Sequence, residues 1–212
     1  MEKEAKKKIK RVKKQFKIKA SVLSVVIIII AVFFAFNIVF AWGIYKLDWQ
    51  GDITKAIVGI IPYPAAKINN DYISFNDYLK NLKAYQHFYE KQKQAGFLDV
   101  PESGQLKKMA LEERLMTDYF VRKIASDYDV IVPALEIDQE INKIIAQKGG
   151  SKELERFLDE FYGLNIEEYR KYFTEPGLYI KKTSAKLSRS NLILDNLLKE
   201  AREDAQIKIY VY

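Results

Sequence analysis

Residues 20–45 read ASVLSVVIIIIAVFFAFNIVFAWGIY and contain no charged side chain. At about 1.5 Å rise per residue, a helix of this length covers roughly 39 Å, against a bilayer hydrocarbon core of about 30 Å. Val25 to Phe36 is nearly unbroken Val, Ile, Phe and Ala, apolar all round as a lipid-facing helix is and a water-facing one is not. The stretch is therefore predicted to be a single transmembrane helix. Asn37 is its only strongly polar residue, and a lone amide in lipid gains little by pairing.

The flanks set an expected orientation. Residues 1–19 carry ten Lys/Arg and two Glu, whereas Trp42, Tyr45 and Trp49 cluster at the other end. Basic residues stay on the cytoplasmic side and Trp/Tyr settle at headgroup level. This predicts a basic cytoplasmic tail (1–19), a membrane helix (20–45), a juxtamembrane linker (46–64) and an extracytoplasmic, periplasmic domain (65–212). A cleaved signal peptide is the competing reading. It fits less well, because an h-region spans about 7–15 residues and no A-x-A site follows.

The net charge of +7 belongs to the tail. Residues 1–19 contribute +10 − 2 = +8, leaving 35 − 10 = 25 Lys/Arg against 28 − 2 = 26 Asp/Glu, or −1, for the rest. A near-neutral domain gives no basic face for nucleic acid. The lipid bilayer is the tail's expected partner, through orientation and attraction to anionic headgroups. The chain has no cysteine and one histidine, His87, which excludes disulfides and thiolate chemistry.

Past the apolar stretch, residues 50–64 read as either a short interfacial helix or a plain linker. Ala65–Ile68, Asn69-Asn70-Asp71 and Tyr72-Ile73 read as strand, turn and strand, since Asn and Asp tolerate the left-handed turn conformation. Ser74 then opens a helix, with Asp77 at the capping-box position and a stripe of Phe75, Tyr78, Leu79, Leu82, Tyr85 and Tyr89 running to about Gly96. A loop over 97–104 leads to a long helix over about 105–128, with Leu106, Met109, Met116, Phe120, Ile124 and Tyr128 on one face and Leu111 and Leu115 to the side. After the extended link Val130–Val132, Pro133 is placed at the first turn of a helix lined by Leu135, Ile137, Ile141, Ile144 and Ile145 and stopped at Gly149-Gly150. Ser151 is expected to cap the next helix and Gly163 to end it. Asn165 and Glu168 form a capping box for a further helix that Pro176-Gly177 should kink or restart. Residues 207–212, IKIYVY, alternate as a strand. A lone strand leaves its backbone unpaired, so it is expected to pair with residues 65–73 and close the domain.

Three blocks together resemble the SurA/PrsA-type periplasmic chaperones. They are INNDYISFNDYLKNLKAY (68–85), RLMTDYFVRKIASDYDVIVPALEIDQEINKI (114–144) and GGSKELERFLDEFYGLNIEEYRKYFTEPGLYIKK (149–182). The chain departs from the family pattern at Asp71, Asp129 and Pro133-Ala134, which affects turns and caps rather than chemistry. The resemblance implies a mainly α SurA N-terminal, trigger-factor-like domain closed by a small β pairing of its two ends. It implies an ATP-independent holdase whose partners are unfolded or translocating polypeptides. Many relatives insert a parvulin-type prolyl isomerase domain; here Leu187 to Ile193 leaves no room for one, so no isomerase activity is expected. The alternatives are an adaptor clamping one membrane-protein partner, or the remnant of an isomerase.

No catalytic residue, metal site or cofactor is predicted. His87 lies off the main stripe and no spacing supplies a partner for it as a base. The acidic groups Glu112-Glu113, Glu167-Glu168 and Glu200/Glu203/Asp204 read as solvated helix faces and first-turn charges. The aromatic content carries the functional expectation: fourteen Tyr and twelve Phe give adaptable apolar area suited to varied segments. Tyr85, Phe88, Tyr89, Phe161, Tyr162 and Tyr172 are the candidate peptide-binding residues. Oligomeric state is not legible.

Overall fold

The computed structural model describes residues 2–97 and 99–211, with side chains from residue 23 onward. The side chains of the basic tail, Leu98 in the expected loop and Tyr212 at the end of the expected strand lie outside the described residues. The chain divides into two compact units, Met1–Trp49 and Gln50–Tyr212.

The first unit is one helix, α1 (Glu2–Lys46). Its segment Leu23–Lys46 contains an 18-residue window with a mean hydropathy of 3.0 and is long and apolar enough to cross a membrane by length and composition. The helix ends in a hook: the amides of Leu47 and Trp49 both donate to the Gly43 carbonyl, at 3.1 and 3.2 Å. Asp48 at φ 55° makes that reversal. The Trp49 ring then lies flat on Gly43, where a Cβ would sit 2.3 Å from the indole.

The second unit opens with α2 (Asp52–Ile60), so the connector is helical, with Thr54 and Val58 buried. Next come β1 (Pro64–Ile68) and β2 (Asp71–Ser74), joined at Asn69, φ 53°. The sheet runs β2-β1-β3, where β3 is Ile207–Ile209, and both pairings are antiparallel. The expected closure holds: Ala66, Lys67 and Ile68 register with Ile209, Lys208 and Ile207. The corner is locked twice, the Asn69 amide donating to the Gln206 carbonyl at 2.8 Å and the Gln206 amide to Asn69 Oδ1 at 2.9 Å.

Helix α3 (Phe75–Gln94) follows β2 without a loop. Ser74 Oγ accepts from the amides of Asn76 and Asp77, as its position predicts. The reciprocal half of the box does not form as expected. Asp77 instead accepts from Tyr172 Oη and Lys171 Nζ, both at 2.7 Å, because a cross-helix cation is a stronger partner than a neutral amide. Phe75, Tyr78, Leu79 and Leu82 are buried, as are Asn81 and Ala84. The packing partners of α3 are α2, the sheet, the long helix that follows and the helix over Ser151–Tyr162.

The long helix differs from expectation in its winding. It comprises α4 (Ser103–Lys108), a π-helical segment (Met109–Met116) and α5 (Thr117–Asp127). Of the expected face, Leu106, Met116, Phe120 and Ile124 are buried, and Ala110, Leu111, Val121 and Ala125 are buried beside them. The wider i→i+5 winding of the π segment adds Leu111 and Val121 to the buried side and leaves Met109 partly exposed. Helix α6 (Ala134–Lys148) has Pro133 as its N-cap rather than its first residue. Ile137 and Ile141 are buried, but Leu135 is 67% exposed: as the second residue of the helix, it precedes the buried stripe. Gly149, φ 89°, ends α6. Helix α7 (Ser151–Tyr162) is capped at Gly150, and Ser151 is its first residue with no side-chain cap bond, a correction of one position.

Asn165 and Glu168 do form the expected capping box, at 2.9 and 3.2 Å, on α8 (Ile166–Tyr169). The chain then runs through a second π segment (Arg170–Thr174) directly into α9 (Glu175–Ser188). Pro176 therefore marks a change of winding, not a break. Helix α10 (Leu194–Glu203) packs Leu194 with Leu187, Val121 and Ile124 in a buried cluster. A second cluster joins Val132, Ile137 and Leu178, with Tyr179 touching both.

Candidate functional site

Two features stand out on the helical unit: an array of aromatic rings and a polar hollow. The array is built on α3, α7, α8 and the second π segment. Phe88 of α3 stacks on Tyr162 of α7, with ring centres 5.5 Å apart and planes 9° from parallel. Tyr162 also meets Phe157, Tyr169 and Phe173 at 6.2, 6.4 and 5.6 Å. Tyr169 stacks on Phe173 at 5.3 Å, Phe157 on Phe161 at 4.8 Å, and Tyr89 stands edge-on to Phe88 at 5.5 Å. All seven rings are partly buried, so each keeps some surface toward water.

Cations border the array. The Arg114 guanidinium lies 4.7 Å from the Phe173 centre and Lys148 Nζ lies 3.6 Å from that of Phe157. Burial holds the Tyr162, Tyr169 and Tyr85 phenols above the ordinary tyrosine range, partly offset by Arg114 at Tyr85 and Tyr169. They are neutral hydrogen-bonding groups at physiological pH, not bases. The array offers stacking and cation–π contact, with phenol groups at its wet rim.

Four of the six expected peptide-binding residues, Phe88, Tyr89, Phe161 and Tyr162, fall in this array. Tyr85 is partly buried on α3 within electrostatic range of Arg114. Tyr172 is 6% exposed, its hydroxyl committed to Asp77. The π turn rotates it inward while Tyr169 and Phe173 face the array. Phe157, Tyr169 and Phe173 complete the cluster and were absent from the expected set. The spacing of four in Phe157/Phe161 and in Tyr169/Phe173 is the sequence signal that marks them.

The polar hollow, about 740 Å³, is lined by residues including Asn76, Lys80, Ile137, Arg170, Lys171 and Glu175. Its charges are largely paired with one another or with neighbours: Lys80 with Glu168, Lys171 with Asp77, Arg170 with Asp138 and Glu175 with Arg122. It is a cross-braced seam between helices. Of the acidic groups, Glu168 caps α8 and Glu203 lies 3.9 Å from Lys199. His87 rests against Gly163, where a Cβ would meet Nδ1 at 2.7 Å.

Comparison with protein families matches residues 9–177 to the SurA-like N-terminal domain. The match covers most of the chain, and the chain belongs to this family. The family model is that of the non-catalytic, chaperone-type part of such proteins. Between α9 and α10 only residues 189–193 intervene, and no parvulin domain is evident. Neither the curated proteins nor the solved structures contain a significant match.

Proposed function

We propose that this protein is a membrane-anchored, ATP-independent holdase that binds unfolded or newly translocated polypeptides outside the cytoplasm. Family membership supports the chaperone class. The apolar segment Leu23–Lys46 supports an anchor, and the ten basic residues of 1–19 support a cytoplasmic N-terminus by the positive-inside rule. An anchored holdase meets emerging chains at raised local concentration, because tethering makes the encounter effectively intramolecular.

The single observation that carries the binding reading is the continuous array from Tyr89 to Phe173. Partly buried rings present apolar faces without a fixed polar reader, so they accept many sequences weakly. A benzoyl-phenylalanine crosslinker replacing Phe88 or Tyr162 in intact cells tests it. Many labelled partners are expected; none sinks the reading. A single labelled partner decides for the adaptor alternative.

A further inference from the structure

Helix α2 has two contrasting sides. Thr54 and Val58 are buried, and α2 packs on α3. Ile53 and Ile60 point away, 78% and 85% exposed, with Ile57 partly exposed between them. The spacing 53, 57, 60 forms a single apolar stripe that nothing in the second unit's fold buries.

Beside the stripe, between α2 and α3, lies a pocket of about 240 Å³ lined by Lys55, Gly59, Asn76, Leu79, Lys80 and Lys83. Three ammonium groups and one amide border it, with no carboxylate. Asp52 pairs with Lys55 at 2.8 Å and Glu168 with Lys80 at 2.5 Å. Among the described residues no carboxylate lies within ion-pairing distance of Lys83. Burial, and then the neighbouring Lys55, lower the Lys83 pKa to about 8. A partly desolvated ammonium facing another ammonium is relieved by an anion placed between them.

We propose that the α2–α3 edge binds an anionic phospholipid headgroup, with Lys55 and Lys83 taking the phosphate while Ile53, Ile57 and Ile60 enter the acyl boundary. The occupant follows from the pairing of surfaces. An apolar stripe alone fits any apolar partner and a lysine pair alone fits any anion, but a bilayer offers both side by side. Only residues 47–51 separate α1 from α2, so a membrane-spanning α1 tethers α2 within reach of headgroups. The proposal rests on that reading of α1.

The test uses the full chain in nanodiscs of phosphatidylcholine alone and of an equal mixture with phosphatidylglycerol. Amide exchange in α2 and the Lys83 titration, read from ¹³C-methylated lysines, are followed in both. In the anionic discs α2 exchange should slow by about tenfold, as expected for lysines drawn to an anionic surface, and Lys83 should titrate higher. The Lys55→Gln/Lys83→Gln variant should abolish the difference between discs, and Ile53→Ser/Ile60→Ser should reduce α2 protection in both. Identical exchange in the two compositions overturns the proposal. Inorganic phosphate that raises the Lys83 titration in neutral discs as strongly as phosphatidylglycerol does assigns the pocket to free phosphate and overturns the lipid. Alkaline extraction of vesicles reports on α1 separately: a retained chain with no lipid effect sinks this site alone, whereas an extracted chain sinks the anchor.

Discussion

The Arg114 guanidinium donates to the main-chain carbonyl of Tyr172, which stands four residues ahead of Pro176. In a regular helix that carbonyl would accept from the amide of residue 176, and proline has none. A side chain from the long helix thus supplies the donor that the second π segment lacks. The first π segment is served in the same way: Arg202 of α10 donates to the Glu112 carbonyl at 3.2 Å, beside the Thr117 hydroxyl at 3.1 Å. Removing a charged donor from a partly buried acceptor costs about 1.5–3 kcal/mol. Arg114→Met, which keeps much of the apolar stem, should lower the melting temperature of the detergent-solubilised chain by roughly 3–10 °C. In a Pro176→Ala background the same change should cost less, because the restored amide can take the carbonyl. Equal costs in the two backgrounds, measured by near-UV circular dichroism melts, would show that Arg114 acts elsewhere.

Gly163 meets two demands at once. Its φ is +62°, and a Cβ there would lie 2.7 Å from His87 Nδ1. Gly149, at φ +89°, faces open space. Placing a side chain in the left-handed region costs about 1–2 kcal/mol, so Gly149→Ala should destabilise by that amount alone. Gly163→Ala should cost more, and His87→Ala should recover the excess without recovering the backbone part. Thermal melts of the four variants check this; an equal loss at both glycines would refute the steric role of His87.

What could be read from the chain alone was what is decided locally. The Asn69 turn, the Ser74 and Asn165 caps and the glycine stops each depend on a few neighbouring residues, and alternation in 207–212 demanded a partner that only residues 65–73 could supply. The π segments were not legible, because their carbonyls are satisfied by arginines 58 and 90 positions away in sequence. That winding is also why Val121 took a core place and Tyr172 turned inward. The candidate site was legible as residue types, aromatics on helices, but not as a connected array. Which rings meet depends on how α3 and α7 pack, and periodicity within one helix does not report that.

Glu168 is set to lose its charge later than an ordinary glutamate. Burial alone would raise its pKa, but the Lys80 hydrogen bond, the Asn165 amide and the Lys80 charge outweigh burial and lower it. A lowered folded-state pKa means stability that is fully present above the unfolded glutamate value and is lost as pH falls through the folded one. Lys80→Met should therefore move the Glu168 carboxylate titration upward, followed by ¹³C NMR, and should flatten the acid limb of the stability curve. A Glu168 titration unchanged by Lys80→Met would assign the lowering to the cap amide.

Tyr162 is the ring through which the array is connected, meeting Phe88, Phe157, Tyr169 and Phe173. Aromatic pairs contribute about 0.5–1.5 kcal/mol each beyond area burial, so loss of this ring should loosen the others as well as remove contact area. If the array is the client surface, Tyr162→Ala should weaken suppression of aggregation of an unfolded client by roughly tenfold, the equivalent of one such pair at its upper range. Tyr162→Phe keeps the ring and should retain most of the effect, because burial already holds the phenol neutral. Ile131→Ser, changing a side chain that is 72% exposed outside the array, should change nothing. The comparison must be made where near-UV circular dichroism shows Tyr162→Ala still folded; Phe161→Ala, which removes a ring at the margin, gives a second reading at lower structural cost. Undiminished suppression by both alanine variants would separate the array from client binding and leave it as packing alone.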